Sequence, residues 1–136
     1  MNNSELSAMI HTSMARQCEQ RGYAAPVDVL IDIGVLSKEK YSDWRFGRVP
    51  FLEAVCTVNL AKLSFIMRTM REYAREHGLK PSFTCYKQWG LKTKGKRPVV
   101  LLRFSKSGNP DIEKQYSTHY VDKARIEALK KEPSEE

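Results

Sequence analysis

Lys92, Lys94, Lys96 and Arg97 stand within six residues of one another with no acid among them. Cationic side chains at that density attract phosphate oxygens and release counterions. Such a run can grip a nucleic-acid backbone without reading its sequence. Lys87 lies before it, and Arg103 and Lys106 follow. A second set, Arg68, Arg71 and Arg75, recurs at i, i+3 and i+7, which places its members on one face of a helix. The plainer reading of both sets is a solvated basic surface, with the arginines paired to Glu72 and Glu76 of their own helix. The distribution of charge favours binding. The whole chain carries +7, yet from Lys62 to Lys106 twelve basic residues meet only those two acids. A basic segment in an otherwise mildly acidic chain implies an anionic partner, DNA or RNA.

Trp44, Arg45 and Arg48 in WRFGRVP form a denser local motif. Trp and Arg dominate interface hot spots, so this can be a protein-contact patch. The structural reading is preferred: Trp44 packs on a long helix, Gly47 supplies a turn, and Arg45 stacks or pairs internally. Catalysis has less to stand on. His11, His77 and His119 are isolated, His119 with Asp122 is the best pair, and Asp111 and Glu113 only faintly resemble nuclease carboxylates. No catalytic residue, metal ligand or cofactor is assigned, and an enzyme ranks third, behind a nucleic-acid-binding protein and an adaptor. Cys18, Cys56 and Cys85 are odd in number and widely spaced, which suits a reducing cytoplasm. The polar N-terminus does not read as a secretory signal, and no apolar run approaches a membrane span.

These groups need a scaffold, and 136 residues with 41% apolar content allow one domain with a real core. Its centre is Pro50 to Gly78, read as a long amphipathic helix with Leu52, Val55, Cys56, Leu60, Leu63, Ile66, Met67, Met70, Tyr73 and Ala74 on one face. Asn59 interrupts that face. It is either a polar core residue or the cap of a second helix after a break near Thr57. Residues 4–21 read as a helix capped by Asn3 or Ser4 and ended by Gly22. Its stripe, Leu6, Ile10, Met14 and Cys18, is narrow, so it is expected to dock weakly, to be separable and to offer a dimer contact. Pro26 opens a short helix through Ile33, and Ser37 caps another from Lys38 to Phe46.

Ser82 to Trp89 and Pro98 to Phe104 read as two strands of an antiparallel hairpin whose loop carries the lysines. Ile112, Tyr116 and Tyr120 recur at helical spacing, and Asp122 can cap a last helix from Lys123 to Lys131. Residues 132–136 read as a disordered acidic tail.

The run YSDWRFGRVPFLEAVC, with GLKPSF and RFSKSGNPDIEKQYSTHYV, resembles a small family of bacterial proteins from about Val27 to Val121. The resemblance implies a bacterial, soluble, single-domain protein and brings no activity, cofactor or site residue. The expected fold is α+β: a mainly helical single domain over residues 1–131, with a long central helix and one antiparallel β-hairpin. Its order of elements is winged-helix-like by analogy alone. The expected function is a cytoplasmic nucleic-acid-binding accessory protein using the basic hairpin and arginine stripe. The alternative is an adaptor domain with a protein partner or a homodimer.

Overall fold

Five of the six described α-helices start on short polar side chains that take up otherwise unpaired N–H groups. α1 (Asn3–Arg21) begins at Asn2, whose Oδ1 accepts from Glu5 N at 2.8 Å, just before the two residues expected to cap it. It ends at Gly22, where φ is +83° and the N–H donates to Cys18 O. A Cβ at Gly22 would also lie 2.3 Å from Ile126 Cγ1, so both backbone and space call for glycine. α2 (Pro26–Asp32) opens on its proline, and α3 (Lys38–Arg45) opens on Ser37, whose Oγ accepts from Lys40 N at 3.1 Å.

The computed structural model describes residues 2–91 and 99–131. Among them, six α-helices accompany one three-stranded antiparallel sheet, so the fold is mixed α+β and mainly helical.

The stretch from Pro50 to Gly78 is not one continuous helix. A 3-10 turn covers Leu52–Val55, the chain extends at Cys56, and α4 (Leu60–Glu76) starts afresh. Asn59 is the cap of α4, its Oδ1 accepting from Lys62 N at 2.9 Å, so the break replaces the polar core residue. The shift in phase exposes Leu60, which the single helix had placed inward. Leu63, Ile66 and Met70 keep their central place and are buried.

The sheet has the order β1-β3-β2, built from β1 (Tyr23–Ala24), β2 (Lys80–Phe83) and β3 (Thr118–Val121). Ala24 pairs with Tyr120 on one side of β3, and Pro81 pairs with Tyr120 on the other. Pro81 sits in an edge strand, where a missing N–H is tolerated. Tyr120 therefore belongs to a strand and not to the helix read through Ile112 and Tyr116. That helix is α5 (Pro110–Ser117), capped by Asn109. α6 (Lys123–Lys131) follows, with Asp122 Oδ1 accepting from Arg125 N.

Among the described residues the expected hairpin is represented by one antiparallel bridge, Lys87 to Leu101, flanked by Leu102 N to Tyr86 O and Gln88 N to Val100 O. Lys80–Phe83 turns to β3 instead, and Val99, Val100 and Leu101 remain exposed. The winged-helix comparison gains no support, because the described sheet joins three segments far apart in sequence. The hairpin loop (Lys92, Lys94, Lys96, Arg97, with Pro98) and the acidic tail lie outside the described residues.

Core side chains from α1, α2 and α4, together with Trp44, Leu52, Phe104, Tyr116 and Tyr120, form one apolar cluster. The expected weak docking of α1 gives way to full burial of Ile10 and Met14. Its two polar face residues are satisfied. Ser13 Oγ donates to Asp32 at 2.6 Å, and Gln17 Oε1 accepts from Ala25 N at 2.9 Å.

Candidate nucleic-acid interface

The C-terminal half of α4, strand β2 and helix α5 enclose a groove of about 530 Å³. α4 places Arg71 and Arg75 along it, because four residues make about one helical turn. β2 contributes Lys80 and Phe83, and α5 contributes Lys114. Ala74, Leu79 and Tyr120, buried by the core beneath, supply an apolar floor. Asp111 is the one acid among the lining residues. The four cations are exposed and make no ion pair among the described residues. Lys114 Nζ sits 4.7 Å from the centroid of the Phe83 ring, while that ring is still 60% exposed. Arg71 lies close enough to Tyr120 to oppose, in part, the rise that burial causes in its phenol pKa.

The arginine stripe divides here. Arg68 is outside the groove, with its guanidinium 5.6 Å from the Phe65 ring. Arg103 is committed to the chain itself. Its Nε donates to Ser105 O at 2.8 Å, a second nitrogen donates to Lys106 O, and the group lies over Phe51. Lys106 lines a different groove, beside Glu53 and Tyr116, and Lys87 is exposed at the isolated bridge.

Among the described residues, Arg71 and Arg75 are the expected nucleic-acid residues that this groove brings together. Lys80 and Lys114 were not assigned to it from sequence. In sequence Lys80 stands beside Pro81 after the glycine that ends the long helix, and Lys114 follows Asp111 and Glu113. Only the pairing of β2 with β3 and the seating of α5 bring them within one groove.

Within WRFGRVP, Trp44 is withdrawn from the surface, while Phe46, Gly47 and Arg48 stay exposed. Trp44 is fully buried, donating from Nε1 to Arg103 O at 2.8 Å. Phe104 and Tyr86 pack on it at 5.1 and 5.6 Å between centroids. Arg45 lies over Trp89 and Tyr86 at 4.4 and 5.1 Å, and its Nε is buried without a hydrogen-bond partner. Arg48 is exposed and pairs with Asp43 at 3.2 Å.

Behind the sheet, His119 stacks on Tyr23 at 5.2 Å and shares a 3.1 Å hydrogen bond with Tyr86 Oη. Burial, then the Arg21 guanidinium, push its pKa below the usual 6.5, against a smaller opposing pull from Asp28. The neutral imidazole is thus favoured in the folded state. Between its folded pKa and about 6.5 the unfolded chain binds more protons, so stability falls as pH falls through that window. Urea midpoints are expected to drop from pH 7 to pH 5, and His119→Gln to flatten that part of the slope. An unchanged slope in the variant would reject this role.

Among the described residues no cluster of three His, Cys, Asp or Glu could hold a metal ion. None of their helices is long and apolar enough to cross a membrane. No family model, curated protein or solved structure matches the chain, so the groove is read from its own geometry.

Proposed function

We propose that the chain binds nucleic acid through Arg71, Arg75, Lys80 and Lys114, as an accessory protein of nucleic-acid metabolism. The observation that carries the reading is four exposed cations around one groove with a single acid, none of them in an ion pair among the described residues. Four like charges held together repel each other, and an anionic partner relieves that repulsion. Lys92, Lys94, Lys96 and Arg97 add to the basic charge in sequence. A cytoplasmic setting goes with this reading, where reducing conditions keep the exposed Cys85 a thiol.

Fluorescence anisotropy of a labelled oligonucleotide across a salt series tests it. Affinity should fall steeply with salt. The double variant Arg71→Ala, Arg75→Ala should weaken binding and reduce the log–log salt slope by about 1.4–1.8, since each phosphate contact contributes roughly 0.7–0.9. Absence of binding at low salt, or a double variant that binds like the parent, would overturn the reading.

A further inference from the structure

We infer that the groove takes a single strand of nucleic acid, with one base stacked on Phe83. This rests on the reading above and names its ligand more closely.

Phe83 ends the edge strand β2 and keeps 60% of its surface exposed, although it lies beside an apolar floor. Lys114 Nζ lies over the ring at 4.7 Å from its centroid, and Phe83 nevertheless stays 60% exposed. Phosphate contacts alone give no use for that ring. Bases of a duplex are stacked on one another and offer no free face, so a duplex would satisfy the cations and leave Phe83 idle. A single strand can lay a base on the ring while neighbouring phosphates meet Arg71, Arg75 and Lys80. Cations that track a backbone beside an aromatic platform form the general pattern of single-strand binding. The groove volume of about 530 Å³ falls in the range of ligand clefts, so a base and its sugar can enter it. A free nucleotide offers the same base and phosphate. Cations contributed by α4, β2 and α5 suit a ligand with more than one phosphate.

The test compares three probes by anisotropy or competition: an oligothymidylate of about 12 nucleotides, a duplex of equal length, and adenosine monophosphate. The strand should bind about tenfold or more tighter than the other two. Phe83→Ala should lower strand affinity about tenfold, leaving duplex affinity and the salt slope unchanged, while Phe83→Trp retains strand binding. Phe83 is exposed, and circular dichroism should report an unchanged fold in both variants. Equal affinity for duplex and strand, equal affinity for the mononucleotide, or an inert Phe83→Ala would each overturn the inference. In those cases, a loss caused by Arg71→Ala with Arg75→Ala would leave the broader reading standing. Failure of every probe to bind at low salt would remove both.

Discussion

A chain beginning at Gly22 is expected not to fold. The deletion removes α1 and with it the burial of Leu6, Ile10 and Met14. At roughly 1.5–3 kcal/mol for each large apolar side chain, about 4–9 kcal/mol is lost, comparable with the whole stability of a domain this size. The apolar face of α4 against which α1 lies would then meet water. Polar contacts go as well. Gln17 Oε1 holds Ala25 N at the entry to α2, and Glu19 O accepts from Arg125 Nε of α6 at 3.0 Å. Arg21 pairs with Asp28 at 2.6 Å, a link between α1 and α2 that also disappears. Far-UV circular dichroism and urea titration of the shortened chain should show no cooperative transition. A cooperative transition near that of the full chain would restore α1 as a separable helix.

α1 shows where sequence reasoning stops. Its period was visible, and so were its limits. Ser13 and Gln17 diluted the stripe, and nothing local revealed that Asp32 and Ala25 would satisfy them. Caps fared better because they are local chemistry. Ser37, Asn59 and Asp122 each accept from an N–H three residues ahead, within one turn of sequence.

The sheet fared worst. β1 has two residues and β3 has four, too few for an alternating pattern to stand out. Their pairing depends on a chain path that only the packed helices set. Ser82 to Trp89 did alternate, and so suggested a hairpin with the next apolar run. The competing partner, β3, lay hidden at the end of a helical pattern. The candidate site divides in the same way. Arg71 and Arg75 share a helix and were legible, whereas Lys80 and Lys114 reach them only through β2 and α5. The sequence reading prefers core to surface for Trp44, and its indole is buried.

Glu113→Ala is expected to destabilise the fold by about 3–6 kcal/mol. Its carboxylate accepts from Phe104 N at 2.9 Å, from Ser105 N at 2.6 Å and from Ser105 Oγ at 2.5 Å. Phe104 and Ser105 are both buried, so water cannot replace what is removed. Two unpaired backbone N–H groups cost roughly 1–3 kcal/mol each, and the hydroxyl adds to that. Ser105→Ala removes the hydroxyl that donates to the carboxylate and accepts from Gly108 N at 3.0 Å, but leaves the carboxylate on both amides, so it should cost less, about 1–2 kcal/mol. Glu113→Gln should fall between the two, because its NH₂ group must face a donor. The clamp is doubled from the other side, where Glu53 accepts from Lys106 N at 2.8 Å and from Tyr116 Oη at 2.7 Å. Together the carboxylates fasten residues 104–106 to the middle and C-terminal turn of α5. Lys114 follows Glu113 on α5, so the clamp also sets where that cation meets Phe83. Urea unfolding of the three variants gives the order directly. If Glu113→Ala falls within about 1 kcal/mol of the parent, the clamp does not hold α5 in place.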